Sequence, residues 1–360
     1  MQQYLLRRLL LVLPTLWAII TVNFIIIQFV PGGPVEQAIA MMTMPGIQNT
    51  DRIQSSGDNL YNEHSSSHQE VHHSGLSTDT IQKLNKLYGF DKPVLERYFN
   101  MIVRYLCFDF GYSYYRNETV LNIIAEKLPV SMSLGFFSTG LLYLIALPLG
   151  IYKARHHKST ADRISSILLL FGNAIPTFLF AILMIVLFAG GDFFRIFPLR
   201  GLSSSYYESL STIGRIMDYL WHLVLPVSAI LIGSITALTF LVKHSFLEEI
   251  PKPYVTCARA KGLTERSILY NHIFRNALLI VIAGIPAAVV DMFFTGSLLI
   301  EIIFSLDGLG LLGYEATLTH DYPIVFGSLY IFTLLSLMVN IITDLCYCLV
   351  DKRISFEALS

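Results

Sequence analysis

Residues 219–242 read YLWHLVLPVSAILIGSITALTFLV, with no Asp, Glu, Lys or Arg among them. The hydrocarbon core of a bilayer takes about 20 such residues as one helix. Stretches of the same kind occur at residues 9–30, 129–152, 164–191, 276–300 and 322–343, which predicts six spans. Asp291 is the one charged residue inside any of them, and Asp344 sits just past the last. The whole chain agrees. Hydrophobic residues make up 54% and charged residues 14%, where a soluble domain carries about 25% charge. Mean hydropathy is +0.57. These values exclude a soluble globule and give the fold class as an all-α integral membrane protein.

The placement of charge matters more here than its sum. Basic residues collect on alternate sides of the spans: Arg7 and Arg8; Lys153, Arg155, Lys158 and Arg163; Lys243, Lys252, Arg259, Lys261, Arg266 and Arg275; Lys352 and Arg353. The loop after the fifth span has Glu301, Asp307, Glu315 and Asp321 and no base. The positive-inside rule then places both termini and the basic loops in the cytoplasm. Residues 9–30 outrun the 7–15 residues of a signal-peptide core, and no small-residue cleavage site follows, so they read as an uncleaved span. The resulting organisation is a tail and first helix over 1–30, an outer loop over 31–128, a helical core over 129–350 with a basic loop at 243–276, and a tail over 351–360. Tyr4, Tyr219, Trp221 and Tyr322 stand at span ends, where amphipathic rings suit the interface.

Within the outer loop, residues 44–78 are rich in Ser, His, Asn, Gln and Gly and cannot bury a core, which predicts flexibility. Residues 80–87, 94–107 and 120–128 show helical spacing and read as short helices on the mouth of the bundle. His64, His68 and His72 recur at four-residue intervals. On a helix they would share a face able to hold Zn or Ni; a solvated polar loop is the plainer reading. Cys107, Cys257, Cys346 and Cys348 form neither a zinc pattern nor a CxxC pair.

The segment 251–279, PKPYVTCARAKGLTERSILYNHIFRNALL, carries the mechanism. Pro253 suits a first helical turn. Gly262 suits a helix stop with left-handed backbone. Thr264 then caps a second helix, with Glu265 near its positive end. The prediction is two short helices joined at Gly262, with Ala258 and Ala260 permitting close approach and Arg259 and Lys261 offering charge. An ordinary basic loop is the alternative.

The run Ala258-Arg259-Ala260-Lys261-Gly262-Leu263, followed by His272 and Arg275-Asn276-Ala277-Leu278, resembles the coupling loop of permeases in the oligopeptide/dipeptide/nickel branch of ATP-binding-cassette importers. Val30-Pro31-Gly32-Gly33-Pro34, Tyr88-Gly89-Phe90-Asp91-Lys92-Pro93, Phe108-Asp109-Phe110-Gly111-Tyr112-Ser113, Glu301-Ile302-Ile303-Phe304, Gly308-Leu309-Gly310 and Asp321-Tyr322-Pro323 resemble the same branch. Residues 11–27, 188–201 and 292–315 are similar to members associated with peptides and with microcin C, a peptide–nucleotide. The resemblance implies a six-helix importer permease in a bacterial inner membrane. Its partners are a second homologous permease, two copies of an ATP-binding subunit and a periplasmic substrate-binding protein. It implies ATP and Mg at the partner subunits, no cofactor and no catalytic residue on this chain, and no nucleic acid. It assigns coupling to Tyr254, Ala258, Arg259, Ala260, Lys261, Gly262, His272, Arg275 and Asn276. The sequence has no Walker lysine loop of its own.

For the transport path the candidates are Asp291, Asn173 and His222. A carboxylate at depth in a span costs about 2.5–3.5 kcal/mol on insertion scales and therefore faces an interior or water. Hydrogen bonding between helices would serve such residues equally well. Three competing readings stay open. A nickel permease rests on His64, His68 and His72 alone. An intramembrane enzyme needs paired catalytic groups, and no HExxH or GxGD pattern exists. A channel or scaffold has no need of the helix–Gly–helix loop.

Overall fold

The computed structural model describes residues 2–29, 92–116, 118–190, 193–294 and 298–350, with side chains for all of these but 2–9, 29, 286, 290–294 and 343–350. The predicted helix at 80–87, the flexible stretch and His64, His68 and His72 lie outside the described residues. Among the described residues there is no strand, only a bridge between Tyr112 and Thr119.

Helix α1 spans Gln2–Phe29 and α2 spans Val94–Leu106. Helix α3, Val120–Arg155, runs unbroken through Pro129 and Pro148. The short helix expected at 120–128 is therefore fused to the second span. Each proline removes one backbone bond. A loss of that size among 36 residues is less costly than ending a helix and exposing free amides and carbonyls to lipid.

The third span departs further from expectation. It is two helices, α4 (Thr160–Ala174) and α5 (Thr177–Phe188), bent by 97°. Helical backbone is disfavoured for the residue before a proline, and Ile175 sits at φ −83° and ψ 123° ahead of Pro176. At 15 and 12 residues, the halves measure only about 22 and 18 Å. Neither crosses a core of about 30 Å alone.

Helix α6 (Thr212–Glu249) contains the fourth predicted span. Next come α7 (Pro253–Ala260), α8 (Glu265–Ile268), a π-turn (Leu269–Ile273), α9 (Phe274–Ala277) and α10 (Leu279–Phe294). The fifth span thus begins in a jointed helix bent by 47°. Ser245 Oγ donates to the Ala277 carbonyl at that joint. Helices α11 (Leu298–Phe304), α12 (Leu309–Leu318) and α13 (Tyr322–Val350) complete the chain. Among the described residues, four helices are long and apolar enough to cross a membrane, and six spans result if each bent pair counts as one.

At the end of the bundle that carries α2, the acids after the fifth span find bases from a distant segment. Lys127 reaches Asp307 at 2.5 Å and Arg116 reaches Glu315 at 3.1 Å. Asp321 accepts from Ser113 Oγ at 2.5 Å and from the Tyr114 amide at 3.3 Å. Burial pushes the Asp321 carboxyl upward, and the bonds from Ser113 and Tyr114 oppose it. Glu301, wholly buried, accepts from Ser131 Oγ at 3.1 Å and the Leu311 amide at 2.7 Å. Its carboxylate thereby closes the amino end of α12. A Cβ on Gly308 would stand 2.5 Å from that carboxylate, which is why the turn there carries glycine.

Candidate functional site

At the opposite end, α6 leads into α7 through Lys252, whose extended backbone (φ −66°, ψ 148°) precedes Pro253 in the first turn. Helix α7 stops at Lys261, and Gly262 turns the chain at φ +79°. The Gly262 amide donates to Arg259 O at 2.9 Å and the Leu263 amide to Ala258 O at 3.3 Å. These bonds satisfy carbonyls the helix leaves open. A Cβ on Gly262 would meet nothing within 4 Å, so the need for glycine is one of backbone, not space. Thr264 then accepts from the Ser267 amide at 3.4 Å and starts α8.

This elbow has a buried and an exposed side. Val255 and Ala258 pack with Ile268, Leu269 and Ile273 against Val242 and Phe246 of α6 and Ala154 of α3. Ala258 therefore faces inward, and close approach from outside falls to Thr256, Cys257, Ala260 and Lys261, which are exposed. Arg259 is clamped across the turn to Glu265, with contacts of 2.7 and 3.3 Å. Its charge is engaged within the elbow; Lys261 and Gly262 stand at the tip. Tyr254 donates to Glu249 at 2.6 Å, and Glu249 also holds Lys252. Asn276 completes the link to Tyr254, while burial and the Glu249 bond push the phenol upward and keep it a donor. Tyr254 and Asn276 thus brace the elbow to the end of α6 and the start of the fifth span. His272 in the π-turn and Arg275 in α9 are exposed beside them.

Behind the elbow lies an ionic knot that the sequence reading treated as ordinary loop charge. Asp162 at the start of α4 accepts both contacts of Lys243 from α6 at 2.8 Å and lies 3.1 Å from Lys153 of α3. Side-chain exposure is 0% for Lys153, 5% for Asp162 and 8% for Lys243. Lys153 also donates to the Asp162 carbonyl at 2.9 Å and to Ser165 and Ser166 at 2.7 Å each. Three helix ends are joined by one carboxylate.

Of the three path candidates, the structure describes the side chains of two. His222 is buried with Nδ1 2.7 Å from the Asp218 carbonyl. Asp218 in turn accepts from the Ser204 amide at 2.8 Å, so the imidazole serves α6 and its neighbouring loop. Asn173 is exposed, one turn before the break at Pro176. Asp291 is on α10, and its side chain lies outside the described residues.

Residues 146–356 match the family described as binding-protein-dependent transport system inner membrane component. The match takes in the elbow and all three members of the knot. The chain belongs to this family. It is 54% identical over 364 residues, 99% of this chain and 100% of the relative, to the inner membrane ABC transporter permease protein YejB of Escherichia coli O157:H7. It is 51% identical over 362 residues to the peptidoglycan transport system permease protein YejB of Agrobacterium fabrum, covering 99% of each chain. At 30% identity over 357 residues it matches the oligopeptide transport system permease protein AppB of Bacillus subtilis, covering 99% of this chain and 100% of that one. The resemblance read from the motifs is thereby established. The knot was absent from that reading. Its one sequence signal is Asp162, an acid isolated among His156, His157, Lys158 and Arg163.

Proposed function

We propose that this chain is one of two permease subunits of an ATP-driven importer that moves peptides across the inner membrane by alternating access. The cargo includes peptide–nucleotides of the microcin C kind. Both termini and the elbow face the cytoplasm, and residues 31–128 face the periplasm, where a binding protein delivers cargo. Two ATP-binding subunits hold ATP and Mg; this chain takes no part in the hydrolysis.

The observation that carries the proposal is the build of the elbow. Its exposed side, Thr256, Cys257, Ala260 and Lys261, is free to sit in a partner's cleft. Its other side is bonded to α6 and the fifth span through Tyr254, Glu249 and Asn276. A push on the tip is passed to two spans at once.

Uptake by cells lacking the gene, with and without its restoration, tests the cargo. Loss and recovery of labelled oligopeptides or of a microcin C-like conjugate is expected; a change in nickel entry alone would overturn the peptide assignment. Gly262 tests the elbow. Left-handed backbone costs a residue with a Cβ about 1–2 kcal/mol, enough to shift a two-state population by about 5–30-fold. Gly262→Val should therefore cut uptake by roughly tenfold at normal membrane abundance. Gly262→Asn, which tolerates that backbone, should keep most of it. Unimpaired uptake by Gly262→Val removes the elbow from the mechanism.

A further inference from the structure

Helix α2 is wide in its apolar arc and only half covered. Around its axis, Met101, Val94, Tyr105, Tyr98, Ile102, Leu95, Leu106, Phe99 and Val103 follow one another, and Glu96, Asn100, Arg104 and Arg97 fill the remainder. One half of the arc packs on the protein. Tyr98 meets Thr21 at 2.7 Å and stacks edge-on to Phe24, and Tyr105 meets Tyr330 and Phe110. The other half has no cover from any described residue: Leu95 is 72% exposed, Phe99 63%, Val103 59% and Leu106 55%.

The contacts of the covered half set the depth of the helix. Arg97 bonds Gln28, one residue before the last of α1, and Tyr98 reaches Thr21 on the same helix. Thr21 lies about 10 Å further along α1 than Gln28. Tyr330 lies about 12 Å into α13 from Tyr322, where that span begins. So α2 is seated against two membrane spans below their ends, not above them. On α1 itself, Val22, Ile25 and Ile26, close in sequence to the Thr21 and Phe24 that α2 meets, are exposed too. The polar face carries Arg97, bonded to Gln28 near the end of α1, and Arg104, bonded to Asp109.

From this seating and the exposure of the stripe we infer that α2 is an interfacial helix, with Leu95, Phe99, Val103 and Leu106 embedded among the acyl chains of the leaflet on its side of the membrane. The occupant of the stripe is lipid rather than a binding protein or a second permease. The helix then holds the mouth of α1 and α13 at a fixed height in the bilayer. The inference needs only the membrane placement of the spans, not the identity of the cargo.

The test is site-directed spin labelling of the assembled importer in lipid nanodiscs. Cys107, Cys257, Cys346 and Cys348 are replaced by serine, and single cysteines are introduced as Leu95→Cys, Phe99→Cys, Val103→Cys, Asn100→Cys and Ile25→Cys. Each label is read for collision with oxygen, which concentrates in acyl chains, and with a water-soluble nickel chelate. Labels at 95, 99 and 103 should favour oxygen as the label at 25 does, and the label at 100 should favour the chelate. Lipid exposure at 25 with chelate exposure at 99 overturns the inference alone. Low collision with both reagents at 95, 99 and 103 means that protein covers the stripe, which also overturns it. Chelate exposure at 25 removes the membrane placement and the inference together.

Discussion

Asp162→Ala is expected to destabilise the protein by about 3–5 kcal/mol, the usual cost of stripping one partner from a buried ion pair. Lys243 loses both of its 2.8 Å contacts and stays largely buried. Lys153 loses a 3.1 Å contact but keeps Ser165, Ser166 and the backbone carbonyl of residue 162. The stranded charge is therefore chiefly that of Lys243. Thermal unfolding of the purified protein in detergent should fall by on the order of 10 °C. Adding Lys243→Met should recover much of the loss, because an apolar chain of similar length needs no counter-charge. Adding Lys153→Met should recover little, since that lysine still has oxygen partners. A melting temperature unmoved by Asp162→Ala would show that the knot carries no net stability.

The second large effect is expected at Gly150, where α3 crosses α6. A Cβ there would stand 2.7 Å from both Cβ and Cγ1 of Val242 and 2.8 Å from the Thr239 carbonyl. Val242 Cβ and the Thr239 carbonyl are fixed by the backbone of α6, so the helices must separate. Small residues are what allow such backbone approach in a membrane bundle. Gly150→Ala should cost about 1–3 kcal/mol, and Gly150→Leu should abolish monodisperse protein and transport. Gly140 is the control, on the same helix with nothing within 4 Å of its added Cβ. Gly140→Ala should be neutral or gain up to about 1 kcal/mol of helix propensity. Equal responses at 140 and 150 would mean that helix propensity, not the crossing, governs both.

How far these features were legible depends on whether they are local. The turn at Gly262 was readable because proline, glycine and a capping threonine each demand one backbone conformation, and the structure shows each of them. The break at Pro176 left the same kind of mark, but proline in a span is as often a tolerated kink. The two prolines of α3 are tolerated and Pro176 is not; nothing in their near neighbours separates the cases. The knot was illegible for another reason. Lys153, Asp162 and Lys243 look like loop charges until α3, α4 and α6 are brought together, and only packing does that. The same holds for Ala258, whose smallness signals close approach without saying from which side. Arg259 read as charge offered to a partner, and the structure spends it on Glu265.

The bonds between Ser113 and Asp321, and between Arg116 and Glu315, join positions about two hundred residues apart, and α1 itself packs against α13. The first of the described helices thus packs against the last of them. During synthesis α1 and α2 must wait in the bilayer while the intervening described helices are inserted, and these contacts form only when α13 arrives. Biogenesis, rather than the finished bundle, is where this chain is most exposed to truncation. A chain cut before residue 322 loses the helix that α1 packs against at the far end of the sequence.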